Sequence, residues 1–214
     1  MKKIIKNDII IIYKTSNIGL GNMSINTIYG PMFAGKTTEF IKLAEKCPSE
    51  KCYIIKPGID TRYSHDAIVS HNGRRIDNVH CVKDLIFELI AQEIDCSVDT
   101  FFIDEGHMFG QELVPFCVNA KNKGYDVYVA GVEKVFDGSF FDNMNELIEI
   151  ADTKIYLQGK CGVTGCEEMS EYSYLKKKEK TCDGILVGGA ELYAPICDFH
   201  FKNNESLTFD SQYN

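Results

Sequence analysis

From Ser24 onward, short runs of apolar and β-branched residues alternate with stretches whose apolar residues recur every three or four positions. SINTIY (24–29) reads as a strand running straight into a glycine, and TTEFIKLAEK (37–46) as a helix with Phe40, Leu43 and Ala44 on one face. KCYIIK (51–56) is a second strand. VKDLIFELIAQE (82–93) is a helix by the spacing of Leu85, Ile86, Leu89 and Ile90. TFFIDE (100–105) is an apolar run that ends in two carboxylates. QELVPFCVNAKNKG (111–124) is a helix with Pro115 in or near its first turn and a glycine at its end. DVYVAG (126–131) and TKIYL (153–157) are further strands. Strands that are apolar almost throughout, alternating with helices, predict an α/β core: a parallel sheet covered on both faces.

After Leu157 the pattern gives way to glycines, paired cysteines, the lysine-rich KKKEK (176–180) and GILVGGAELYAPIC (184–197). A boundary near Gln158 separates an α/β domain, 24–158, from a small C-terminal subdomain, 159–203, and a tail, 204–214. Residues 1–23 have no clear role, and no internal repeat stands out. The lysine cluster reads either as a solvated face or as a binding patch.

Composition narrows the function. At 214 residues the chain is long enough for one ordinary domain, or one domain with a small appendage. Its 23 basic and 31 acidic side chains leave a formal charge of −8, which repels a phosphate backbone and argues against a nucleic acid polymer as partner. A small phosphorylated ligand needs only one local positive pocket. The opening MKKIIKNDIIIIYK is too short in its apolar run for a signal peptide or a span, so a soluble, cytoplasmic protein without a membrane partner is expected. The nine cysteines are then expected to be mostly reduced. Cys47, Cys52, Cys81, Cys96 and Cys117 are scattered singly and read as small buried hydrophobes.

GPMFAGKT (30–37) matches G-x-x-x-x-G-K-[ST] between a strand and a helix, the context such a loop requires. Gly30 and Gly35 let the backbone of Pro31, Met32, Phe33 and Ala34 wrap a phosphate with its N–H groups inward. The helix N-terminus adds positive potential, Lys36 reaches the β- and γ-phosphates, and Thr37 offers a hydroxyl to Mg²⁺. These residues describe a nucleoside triphosphate site. Asp104, at the end of its strand, suits Mg²⁺ held through a water shell, and Glu105 suits a general base for an attacking hydroxyl or water. On its own, the same pair reads as a solvated acidic turn. Loop and carboxylates together serve an ATPase as well as a kinase.

Four segments resemble, in order, the motifs of the small zinc-containing thymidine kinases: YGPMFAGKTTE, IKPGIDTRYSHDAIVSHNG (55–73), FFIDEGHMF and VGGAELYAPIC. The resemblance spans about residues 24–203. It implies a P-loop NTPase-type parallel sheet flanked by helices, with a small zinc-binding subdomain bearing a lasso loop. The implied reaction moves the γ-phosphate of ATP to the 5′-hydroxyl of thymidine, and also of deoxyuridine, to give dTMP for nucleotide salvage. On matching positions Glu105 is the base and Asp104 orients Mg²⁺. Lys36 and Arg62 balance the transferring phosphoryl group, with Asp60 and Thr61 beside them and Gly106 and His107 completing the nucleotide side. Phe136 and Phe141 pack on the base, and Met32 and Phe109 form other walls. Gly184, Ile185, Leu186, Val187 and Gly188 resemble the lasso whose backbone binds the pyrimidine edge, with Tyr193 closing over sugar or base. Without the resemblance Phe136 reads as an ordinary core aromatic. The chain departs from the family where His107 replaces a glutamine, and where Glu133, Lys134 and Val135 precede Phe136. A homotetramer is also implied.

GKCGVTGC (159–166) and PICDFH (195–200) carry the remaining chemistry. Four residues separate Cys161 from Cys166, the loose end of the range for a zinc pair, and two separate Cys197 from His200. The resemblance makes these four the ligands of a closed structural Zn²⁺ site, with Cys182 a spare thiol able to replace one. Residues 167–196 read as a long loop with little core of its own, tied at both ends by the ion. Two rivals to the kinase remain at this level: a P-loop ATPase or nucleotide-dependent regulatory module that holds a partner through the zinc subdomain, and a binding-only relic.

Overall fold

The computed structural model describes residues 2–6, 9–15, 23–60, 66–176, 187–204 and 206–213. The chain opens with strands β1 (Lys2–Lys6), β2 (Ile9–Thr15) and β3 (Ile25–Tyr29), followed by helix α1 (Lys36–Ala44) and strand β4 (Cys52–Pro57). A small hairpin, β5 (Ala67–Val69) and β6 (Arg75–Asp77), leads to β7 (Val79–Val82), α2 (Phe87–Glu93) and β8 (Thr100–Ile103). Next come α3 (Leu113–Asn122), β9 (Asp126–Gly131), α4 (Asp142–Ile150) and β10 (Thr153–Gln158). Strands β11 (Tyr172–Leu175) and β12 (Tyr193–Ile196) and the short helix α5 (Asp198–Lys202) form the C-terminal subdomain.

The main sheet has the order β1-β2-β10-β3-β9-β8-β4-β7. From β10 to β7 all six strands are parallel, as their apolar runs predict. β2 adds antiparallel to β10 and β1 to β2, so the N-terminal residues extend the sheet past its parallel part. Each strand feeds both faces. Phe101 and Ile103 of β8 join the core under α2, α3 and α4, whereas Phe102 between them joins the core under α1. Each fully buried phenylalanine contributes about 1.5–3 kcal/mol, which is why the sheet is filled so heavily with aromatic and branched side chains. Among the described residues, no helix is long and apolar enough to cross a membrane.

Three expectations are corrected. The helix expected over 82–93 starts only at Phe87, because Val79–Val82 pairs with β4 as the edge strand. Its buried face is Phe87 and Ile90, and Ile86 and Leu89 are 40% and 56% exposed. Of the five scattered cysteines only Cys117 is buried; Cys47 and Cys52 are half-buried, and Cys81 and Cys96 are exposed. Cys81 lies on β7, the edge strand of the sheet, two residues beyond buried Val79. The third concerns residues 167–196, where β11 pairs antiparallel with β12 and Tyr172 stacks on Phe201 at 3.9 Å. That segment is therefore a strand pair rather than a loop, and it packs on Val163, Cys161 and Cys197 outside it in a small core that includes Ile196.

Candidate active site

The phosphate loop leaves β3 at Tyr29. Gly30 has φ +143° and passes so close to β10 that a Cβ there would lie 2.0 Å from the Leu157 carbonyl oxygen, so no other residue fits. Pro31 and Ala34 are buried beneath the loop, and Phe33 takes φ +63°, in the left-handed region. Lys36 opens α1, and its buried ammonium donates to the Pro31 carbonyl at 2.7 Å. The amide of Met32 donates to the Ser173 hydroxyl of β11 at 2.9 Å, which fastens the subdomain to the loop.

Above the C-terminal ends of β3, β4, β8 and β9 opens a cavity of about 580 Å³. Ligand clefts of parallel α/β sheets form at these strand ends. Asp104 continues the pairing of β8 with β4 through its amide, which donates to the Ile55 carbonyl at 2.9 Å. Glu105 then turns the chain with φ +49° and ψ +43°. That left-handed step brings two successive carboxylates to one crevice instead of opposite faces of a strand, and Asp104 and Glu105 both line the cavity. His107 lines it as well, its Nδ1 accepting the Val132 amide at 3.3 Å and its ring 4.9 Å from that of Phe141.

Behind the loop lies Glu133, 5% exposed. Burial pushes its carboxyl up, against the downward pull of main-chain N–H groups, including that of Gly30, and of the Lys36 and Lys134 ammoniums. Among the described residues, its Oε2 is the one buried side-chain polar atom with no hydrogen-bond partner. Burial, and next the Glu133 charge, also raise the phenols of Tyr29 and Tyr156.

In the subdomain, the ligand atoms of Cys161, Cys166, Cys197 and His200 lie within 4.8 Å of one another. The loose cysteine spacing closes because Gly165, at φ +80°, completes a turn in which the Cys166 amide donates to the Val163 carbonyl at 3.0 Å. β12 delivers Cys197, and the first turn of α5 carries His200, with Nδ1 at 3.3 Å from the Cys197 sulfur. Three thiols and an imidazole facing one point are a donor set for tetrahedral Zn²⁺ with no open position. Burial pushes the Cys161 thiol up to about 12, so a cation is needed to hold it as thiolate.

A family model described as thymidine kinase matches residues 23–201. The chain belongs to the thymidine kinase family. It is a kinase, an ATP:thymidine phosphotransferase, and its cysteine and histidine cluster agrees with the zinc-containing type. Thymidine and ATP are its small-molecule substrates. The match covers the phosphate loop, the two carboxylates and the cluster alike.

The thymidine kinase cavity gathers residues from the four motif segments read in the sequence and from the segment after β9. Met32, Phe33, Gly35, Lys36 and Thr37 line it from the loop, Asp60 from beyond β4, Phe136 and Phe141 from the segment after β9, and Gly188 and Tyr193 from the subdomain. Gly106 is buried at the turn after Glu105, and Val187 is half-buried beside Gly188. Phe109 lies in the core under α2–α4, and Met108 stands on the cavity wall instead. Thr61, Arg62, Cys182, Gly184, Ile185 and Leu186 lie outside the described residues. Sequence reading missed Lys56, Val132 and Ser173, which also line the cavity. For Lys56 a signal existed, a lone lysine at the end of an apolar strand, and the structure buries it almost completely. Ser173 carried no signal at all.

Proposed function

We propose that this thymidine kinase transfers the γ-phosphate of ATP to the 5′-hydroxyl of thymidine, with deoxyuridine as a second substrate, to supply dTMP for nucleotide salvage. What supports the reading most is that one cavity holds the phosphate loop, the paired carboxylates Asp104 and Glu105, and the aromatic walls Phe136 and Phe141. A water-activating ATPase needs no such aromatic end. Glu105 takes the proton from the 5′-hydroxyl. Thr37 and Asp104 are the residues to hold Mg²⁺, Asp104 through its water shell, and the ion balances charge on the phosphates when bound. Lys36 and Arg62 counter the charge of the moving phosphoryl group, with Asp60, Thr61, Gly106 and His107 on the nucleotide side. Met32, Phe136, Phe141 and Tyr193 enclose base and sugar, and the backbone of 184–188 meets the pyrimidine edge. A site that pairs each polar group of the base rejects analogues that leave one unpaired.

Cys161, Cys166, Cys197 and His200 hold a structural Zn²⁺ that orders the subdomain carrying Gly188 and Tyr193. A cytoplasmic homotetramer completes the reading, and light scattering tests the tetramer. The reaction is tested by incubating the protein with Mg²⁺-ATP and each nucleoside and separating the nucleotide products. Thymidine phosphate formed mole for mole with ADP is expected. ATP hydrolysis that is indifferent to thymidine would replace the kinase by the ATPase.

A further inference from the structure

The last described residues fold back onto the phosphate loop. Phe209 bridges antiparallel to Val163, and the Asp210 amide donates to the Gly162 carbonyl at 2.9 Å. Ser211–Tyr213 then make one 3₁₀ turn, in which the Tyr213 amide donates to the Asp210 carbonyl at 2.8 Å. The Lys176 ammonium donates to the Tyr213 carbonyl. Tyr213 is 9% exposed, and its ring lies so close over Gly162 that a Cβ there would come within 2.8 Å of it. Gln212 and Tyr213 line the same cavity as Lys36 and Thr37. Phe209, Asp210, Gln212 and Tyr213 lie beyond residue 201, where the family match ends.

The ring of Tyr213 meets that of Phe33 edge-on, with centroids 5.2 Å apart and planes at 62°. From another direction His71 meets Phe33 at 5.5 Å and 83°. Phe33 is the loop residue with the left-handed backbone, a conformation that a side chain with a Cβ keeps only when its surroundings hold it there. Edge-on ring pairs of this kind hold a side chain by geometry as well as by buried area. The two ring contacts on Phe33 come from a segment after β5 and from the C-terminal turn, both remote in sequence from the loop.

We propose that Tyr213 is a positioning residue of the ATP site: its ring holds Phe33, and through Phe33 the phosphate loop, in the conformation that turns the loop amides toward the phosphates. The inference rests on the reading of this cavity as the ATP site. It places a working part of the enzyme in the C-terminal segment, outside the family's matched region.

Steady-state kinetics and calorimetric ATP binding on the full chain test it, with Tyr213→Ala and Tyr213→Phe compared with the parent. Tyr213→Ala is expected to raise the KM and Kd for ATP by about fivefold or more, with thymidine KM and kcat at saturating ATP held. Tyr213→Phe keeps the ring edge and restores the parental values. Unchanged ATP affinity in Tyr213→Ala, or equal rises in both KM values that Tyr213→Phe does not repair, would overturn the proposal. If the alanine variant does not fold, Tyr213→Leu, which keeps bulk without an aromatic edge, carries the same comparison. Failure of the parent itself to bind ATP would instead sink the ATP reading of the cavity.

Discussion

The Nδ1 atom of His107 lies 3.6 Å from Oε2 of Glu105. The same nitrogen accepts the Val132 amide proton at 3.3 Å, so it presents a lone pair and the ring proton belongs on Nε2. His107 therefore packs beside the Glu105 carboxylate and hands it no proton from Nδ1. Replacing it by leucine changes the polar wall beside Glu105 and strands the Val132 amide. His107→Leu is expected to lower kcat by about ten- to a hundredfold and to cost about 1–3 kcal/mol in denaturant unfolding. His107→Gln, whose carbonyl can accept from Val132, should keep most of both. A leucine variant with parental kcat would show that the histidine only fills space.

Glu105 itself carries the proton transfer in the proposed reaction. Glu105→Gln keeps size and the turn but cannot accept a proton. Its kcat should fall by about 10²–10⁴-fold, while calorimetry finds ATP binding unchanged. Turnover at the parental rate would place the base elsewhere.

The cysteine and histidine cluster predicts one zinc per chain in metal analysis of the reduced, active protein. Cys197 is the informative ligand to remove, since its sulfur lies 4.0 Å from that of Cys166 and 3.3 Å from His200 Nδ1. Cys197→Ser should lose zinc and thermal stability and raise the KM for thymidine, because the strand it terminates carries Tyr193. Full activity in zinc-free protein would refute the structural role.

Glu133 sets a pH dependence of stability. Burial raises its folded carboxyl above the unfolded value, so in the window between the two the folded state binds more protons. Its contribution is complete below the ordinary glutamate range and is lost as pH rises through the folded value. Glu133→Gln removes the buried charge, and is expected to stabilise the protein near neutral pH by about 1–3 kcal/mol. For a chain of this size that is ~2–4 °C in Tm per kcal/mol. Urea unfolding across mildly acidic to mildly alkaline pH should give a flatter profile for the variant. A variant less stable at pH 8 than the parent would mean that Lys36 and Lys134 outweigh the desolvation.

Much of the fold was legible where the signal is local. The loop over 30–37 can be read because eight consecutive residues carry it, and the strands at 100–103 and 126–131 because burial on both faces demands unbroken apolar runs. The helix α4 is hard to read from sequence although Met144, Leu147 and Ile148 have helical spacing, since the polar residues among them dilute the pattern. The exposure of Cys81 and the start of α2 depended on which strand forms the sheet edge, and that is a matter of pairing between distant segments.

What the sequence by itself determined is the chemistry with a short reach: an alternating α/β core, a glycine-framed phosphate loop, two adjacent carboxylates and two ligand pairs. Steric limits on glycine, the two-residue period of strands and the donor preferences of metals act within a few residues, so a linear string records them. Only the tertiary structure decided that Glu105 turns left-handed so that both carboxylates face one cavity, that Met108 rather than Phe109 reaches the wall, and that Lys56 and Ser173 line it. It also decided that Tyr213 closes on Phe33 across 180 residues of chain. Each of these rests on strand register or on one backbone angle, and both are fixed by packing between segments far apart in sequence.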